Sequence, residues 1–213
     1  TFIMIPGPNY VYKCPSCKNI VTNESILSGN TFGSTFYSDG KRVSMMLPDF
    51  PKITKCEKCT TIFWLDKQAV IGYFNWKSNK PAKWRKADKA GFLSKEDYFR
   101  ALATGLAENK EEELFIRIRI MWAYNDCVRG QKELFEDEQD ERSWIENSRQ
   151  LLSLLDLSTV NHQFVAAEIH RNLGDFDNCI SILNGIKKDD LAWVKEKLIN
   201  ECTQKNRWVI ELK

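Results

Sequence analysis

Four cysteines constrain this chain more than any other feature. Cys14 and Cys17 are separated by two residues, Cys56 and Cys59 by two more, and 38 residues lie between the pairs. A two-residue spacer lets both sulfurs of a pair point from a tight turn onto one ion. Two such pairs complete a tetrahedral shell of four thiolates. The halves also match each other outside the cysteines. Lys13-Cys14-Pro15-Ser16-Cys17-Lys18-Asn19-Ile20 and Lys55-Cys56-Glu57-Lys58-Cys59-Thr60-Thr61-Ile62 both read K-C-x-x-C-x-x-I. Two similar knuckles facing one ion are the expected arrangement.

Other uses of the same residues have to be weighed. Two C-x-x-C disulfides would need an oxidising compartment. The opening TFIMIPGPNY has neither a basic start nor a long apolar core, so a secretory signal is not expected and a cytoplasmic location is. A redox-active dithiol belongs at a helix start in a βαβ unit, a setting neither pair has. A rubredoxin-like iron site uses the same four sulfurs, so ligand number leaves zinc and iron both open. Structural Zn2+ is the reading adopted. A catalytic zinc keeps a free coordination position, whereas four thiolates close the shell, and no histidine precedes His162 to replace one. The ion is thus expected to fasten a unit too small to be stable otherwise.

These residues resemble the zinc-ribbon family, in which two cysteine knuckles sit at the ends of β-hairpins joined by a short sheet. The resemblance covers about residues 10–76. It departs at Lys18 and Thr60, which stand where such knuckles often carry glycine. Between the knuckles, Ser38-Asp39-Gly40-Lys41 is a tight-turn signal flanked by Thr31–Tyr37 and Arg42–Leu47, which predicts a hairpin. Pro48 and Pro51 end its second strand, and Cys59–Leu65 and Ala69–Trp76 are the next strand candidates.

Charge and composition divide the chain. Residues 1–75 carry net +3, residues 76–91 (WKSNKPAKWRKADKAG) net +5, and the remainder net −6, within an overall +2. Turn-forming residues and aromatics dominate the first part, and no proline occurs after residue 92. The expected fold class is therefore α+β in two domains: a small β zinc-ribbon-like domain over 1-76, a basic connector over 77-93 and an all-α domain over 94-213. No run of about 18 apolar residues is present, so no membrane-spanning helix is expected.

The helical part has readable starts. Ser94, with Asp97 three positions on, suits a capping arrangement ahead of Tyr98, Phe99, Leu102, Ala103 and Leu106. Asn109 precedes Glu111, Glu112 and Glu113, which favour the positive start of a helix. Ile116-Arg117-Ile118-Arg119-Ile120 alternates like a strand, but Leu114, Ile118, Met121, Trp122 and Val128 follow a helical period. A third helix is expected over Arg142–Leu157, and a final one from Asp189-Asp190 to about Asn206.

Between them, Ala166 to Ile186 (AAEIHRNLGDFDNCISILNGI) resembles a tetratricopeptide repeat (TPR). Small residues lie in its first helix, Leu173-Gly174-Asp175-Phe176 forms the turn, and Cys179 takes a small position of its second helix. The repeat's terminal proline is missing, with Leu191 near its place. A zinc ribbon followed by such a TPR-like hairpin resembles a group of bacterial proteins of unknown function.

Sharper chemistry finds little support. His162 and His170 are eight residues apart, which is no ligand spacing, and His170 is expected to pack. The acidic run Glu133–Glu141 reads as a solvated connector, and Cys127, Cys179 and Cys202 as helix filling. Phosphate-cradling loops and nucleophile elbows are absent from the sequence. The expectation is a non-enzymatic module with no catalytic residues that binds a protein partner on its helical domain. The alternative is nucleic-acid contact through the connector. There Lys77, Lys80, Lys83, Arg85, Lys86 and Lys89 interleave with Trp76 and Trp84. Self-docking of that connector on the acidic helices is the competing expectation.

Overall fold

The computed structural model describes residues 4–213. Its strands are β1 (Ile5–Pro6), β2 (Asn9–Lys13), β3 (Ile20–Asn23), β4 (Ile26–Ser28), β5 (Thr35–Phe36), β6 (Arg42–Val43), β7 (Ile53–Lys55), β8 (Ile62–Trp64), β9 (Gly72–Phe74) and β10 (Asp88–Lys89). Six helices follow: α1 (Lys95–Ala103), α2 (Lys110–Arg129), α3 (Glu138–Leu154), α4 (Val160–Asn172), α5 (Phe176–Gly185) and α6 (Ala192–Thr203). Small sheets in the N-terminal part and helices in the C-terminal part give an α+β layout.

The chain divides into two compact units whose bounds differ from 1-76, 77-93 and 94-213. One comprises Ser44–Leu106 together with the chain up to Ser34, and the other comprises Thr35–Val43 and Ala107–Lys213. Two segments cause the difference.

The first is the basic stretch, which is built into the first unit rather than left as a linker. β10 pairs in parallel with β3, Asp88 opposite Val21, and the order β10-β3-β2-β9 completes a four-stranded sheet. The Ala90 N–H donates to the Thr22 carbonyl at 2.7 Å, and the Thr54 hydroxyl to the Gly91 carbonyl at 3.1 Å. Trp84 is buried over Gly72, where a Cβ would collide with its indole, and lies 6.1 Å from the Phe74 ring. Helix α1 follows into the same unit. Lys55 pairs with Asp97, and Arg100 donates to the Thr60 carbonyl at 3.2 Å. Its cap is as expected, with the Ser94 hydroxyl accepting from the Asp97 N–H.

The second segment is the 38–41 turn. The hairpin forms, with Tyr37 N–H donating to the Lys41 carbonyl at 2.9 Å, but β5 and β6 are only two residues each. It groups with the helical unit because the chain's C-terminal segment lies along β5. Phe36 N–H donates to the Lys213 carbonyl (2.8 Å), Leu212 N–H to the Phe36 carbonyl (2.7 Å) and Ser38 N–H to the Ile210 carbonyl (2.9 Å).

In the helical unit, Asn109 caps α2 by accepting from the Glu112 N–H at 2.9 Å. Ile116 and Ile120, the strand-like pair, are fully buried one helical turn apart. Helix α3 starts earlier than expected, inside the acidic run, because Asp137 accepts from the Asp140 N–H at 2.8 Å. Met121, Leu151, Leu155, Ala166 and Ile169 join α2, α3 and α4 in one core, and Ala167, Cys179, Leu183, Leu198 and Cys202 join α4, α5 and α6 in another.

Gly174 turns α4 into α5 with φ +82°. A Cβ there would meet only Arg207, at an ordinary 3.7 Å, so the demand is on the backbone alone. Gly174→Val is expected to destabilise the helical unit by roughly 1–3 kcal/mol through a β-branched residue held in the left-handed region. Urea unfolding followed by circular dichroism measures this, and an unchanged midpoint would mean that the turn tolerates any residue.

Candidate metal centre

The cysteines lie in two turns of the same construction. β2 leads into Cys14 and β7 into Cys56. In the first knuckle the Cys14 N–H donates to the Asn19 carbonyl (2.8 Å) and the Lys18 N–H to the Cys14 carbonyl (3.1 Å). In the second, the Cys56 N–H donates to the Thr61 carbonyl (2.9 Å) and the Thr60 N–H to the Cys56 carbonyl (2.8 Å). The strands that leave, β3 and β8, pair antiparallel with those that enter. The repeated K-C-x-x-C-x-x-I therefore encodes two hairpin ends closed by the same pair of backbone hydrogen bonds.

Their closing residues are strained alike. Lys18 has φ +60° and Thr60 φ +61°, the left-handed conformation that costs an L-residue about 1–2 kcal/mol. Both turns therefore close on a non-glycine residue held in the left-handed region. Thr60, being β-branched, carries the larger penalty. Thr60→Gly is expected to stabilise the first unit by up to about 1 kcal/mol, after subtracting the extra chain entropy of glycine. A chelator-challenge melting curve reads this directly, and a lower melting point would show that the Thr60 side chain contributes something the backbone argument omits.

All four sulfurs lie within 4.8 Å of one another. Cys14 Sγ to Cys59 Sγ and Cys17 Sγ to Cys56 Sγ are both 3.6 Å. A metal–sulfur bond of about 2.3 Å sets the edge of a thiolate tetrahedron at about 3.8 Å, so the sulfur set fits one ion. Cys14 and Cys56 are fully buried among Val21, Phe63, Leu65 and Ala90, while Cys17 and Cys59 are partly exposed.

Surrounding groups treat the sulfurs differently. The Thr61 hydroxyl, 3.2 Å from Cys59 Sγ, and the Thr61 N–H pull the Cys59 thiol down to about 6. Burial pushes the Cys14 thiol up to about 12, against amide hydrogens of Cys17 and Ser16 that favour the thiolate. A cation at the centre would reverse that cost of burial, since a coordinated thiol is deprotonated outright. The Asn19 amide lies 3.8 Å from Cys56 Sγ and donates to Asp88 Oδ2 at 2.6 Å. Sequence reading singled out the four cysteines but not this outer layer. Thr61 and Asn19 could have been found, because they hold equivalent places after the second cysteine of each pair. Asp88 could not, since it arrives through a distant strand.

The remaining candidates scatter. Trp84 is buried and Trp76 half-exposed. Lys80 donates to the Ala87 carbonyl at 2.5 Å and Lys89 pairs with Glu24 at 2.8 Å. His162 Nδ1 accepts from the Asp156 N–H at 2.9 Å. His170 Nδ1 lies 3.0 Å from Asp175 Oδ2 at the α4–α5 turn, where Asp175 also caps α5. A cavity of about 630 Å3 in the first unit is lined by Trp76, Phe92, Phe50, Pro51 and Ile26, and contains no cysteine. Among the described residues no helix is long and apolar enough to cross a membrane. Set against family models, curated proteins and solved structures, the chain gives no match.

Proposed function

We propose that this chain is a non-enzymatic interaction module. Zn2+ held by Cys14, Cys17, Cys56 and Cys59 fastens the first unit, and the helical unit binds a protein partner. A shell of four thiolates has no open coordination position, which suits a structural ion rather than a Lewis acid acting on substrate. The observation that carries the partner reading is the packing of the helices between sequence neighbours, α2 on α3, α3 on α4, α4 on α5 and α5 on α6. Helices stacked in sequence order, with a tight glycine turn at Gly174, suit a TPR-like layout, whose surfaces serve extended recognition. Four thiolates given to one ion suit a reducing compartment such as the cytoplasm.

Nucleic acid is the second reading, and the connector supports it less. Base stacking needs an accessible indole; Trp84 is only 8% exposed, which leaves Trp76 alone to stack, and Lys80 and Lys89 are engaged. Any DNA or RNA binding is expected to be weak and steeply salt-dependent. Affinity capture with the zinc-loaded full chain, with and without nuclease, separates the two. The partner reading expects a retained protein that survives nuclease treatment. Capture that disappears with nuclease, or a salt-resistant DNA or RNA complex, would replace it.

A further inference from the structure

Two of the cysteines outside the metal centre are not isolated. Cys179 on α5 and Cys202 on α6 bring their sulfurs to 3.3 Å, inside the core that joins these helices, at 1% and 3% exposure. They come from different helices, 23 residues apart in sequence, so no local turn requires them to meet. A second feature gives one of them a route to solvent. A cavity of about 440 Å3 is lined by Gly174, Asp175, Phe176, Thr203, Lys205 and Cys202. Cys179 does not line it. Of the pair, Cys202 therefore borders the cavity, and Cys179 is linked to it only through the contact between the two sulfurs.

We propose that Cys179 and Cys202 are a peroxide-sensitive dithiol that closes into a disulfide tying α5 to α6. The Cys202 thiolate attacks one oxygen of a water-sized peroxide. The O–O bond breaks, sulfur becomes a sulfenic acid, and the departing hydroxide takes a proton to become water. The Cys179 thiolate then attacks the Cys202 sulfur, and the sulfenic hydroxyl leaves with a proton as a second water. Two thiols are oxidised and one peroxide is reduced to two waters, with no other reactant.

The surroundings set the pace. Burial raises the thiol of Cys179, reinforced by its neighbour Cys202, and burial also raises that of Cys202. Among the nearby charges, Arg171 favours the thiolates while Glu168 and Glu201 oppose them. Reaction draws on a small thiolate fraction and is slow, so the pair responds to sustained exposure rather than to a brief pulse. Once formed, the bond closes a loop that the unfolded chain must keep closed, which stabilises the fold.

The test treats the zinc-loaded full chain with hydrogen peroxide, stops the reaction, denatures, alkylates and maps peptides, with zinc release followed in the same sample. The expected result is a linked Cys179–Cys202 peptide, lost on reduction, and a helical-unit melting point raised by at least about 5 °C. Cys202→Ser, nearly isosteric, should leave the melting point unmoved by peroxide and leave Cys179 recoverable as a thiol. Recovery of both cysteines as alkylated thiols after the metal-centre cysteines have oxidised would overturn the proposal. Sulfinic acid at Cys202 beside an unreacted Cys179 would overturn it equally, because the two sulfurs would then not be coupled.

Discussion

Cys56→Ser is expected to empty the metal centre and unfold the first unit. Cys56 Sγ lies within 4.8 Å of its three partner sulfurs, and the residue is closed to solvent at 0% accessibility. A serine oxygen there is a poor donor for a soft thiolate site and ionises far less readily. The remaining sulfurs then have no ion to justify their burial. The buried apolar residues packed directly on the knuckles are few: Val21, Phe63, Leu65 and Ala90. Structural zinc in such sites supplies about 10–16 kcal/mol of apparent binding free energy, more than a small sheet holds in reserve. Elemental analysis should fall from one metal per chain to about none. Amide exchange at Val11, Val21, Ile53 and Phe63 should become fast, while Ile116, Ile120 and Leu183 stay protected. Retention of one tightly bound metal by the variant would mean that the four cysteines are not the ligand set. Zinc against iron is decided in the same measurement on the unaltered protein.

How far the sequence carried this depends on whether the relevant chemistry is local. The knuckles were legible because ligation imposes a fixed spacing, and the caps Ser94 and Asn109 because one side chain meets an amide three residues on. Helix α2 required only a longer window than its Ile-Arg-Ile-Arg-Ile centre. The grouping of segments into the two compact units was not legible, for the opposite reason. A two-residue strand such as Asp88–Lys89 has no period, and its partner Val21–Thr22 lies far back in the chain. The turn at Ser38–Lys41 was readable as a turn, but its destination was not. Small polar turn residues look alike whether they face water or a helix interior. Glu168 and Arg171 show the same limit. At i,i+3 on a helix they read as a surface ion pair, and nothing in AAEIHRN says that both are fully buried.

That burial makes Arg171→Met the most damaging single change expected in the helical unit. Arg171 donates to Glu168 Oε2 through Nη2 at 2.6 Å and through Nε at 3.2 Å, both side chains having 0% accessibility. Its Nη1 donates to the carbonyls of Asn206 (2.8 Å) and Trp208 (2.6 Å), and Nη2 also reaches Ser38 Oγ at 3.1 Å. Ser38 Oγ in turn donates to Glu168 Oε1 at 2.9 Å and accepts from the Ile210 N–H at 3.0 Å. One guanidinium thus joins α4, the hairpin turn and the C-terminal segment. Burial pushes the Glu168 carboxyl up, while the Arg171 charge and the Ser38 hydroxyl draw it down. Without Arg171 the burial effect loses its main counterweight, and the Ser38 hydroxyl is left to oppose it. Removing one partner of a buried pair typically costs about 3–5 kcal/mol, because the other charge stays behind in a dry site. Glu168→Leu should cost a similar amount for the mirror-image reason. The double variant removes both charges, so it should be less destabilised than the sum of the singles by about 2 kcal/mol or more. It should still fall short of the unaltered chain, since the Asn206 and Trp208 carbonyls lose their donor. Urea unfolding of the three variants gives the cycle. Strict additivity would mean that the two residues are stabilised separately, Arg171 by the carbonyls and Glu168 by Ser38, and that the ion pair between them adds nothing.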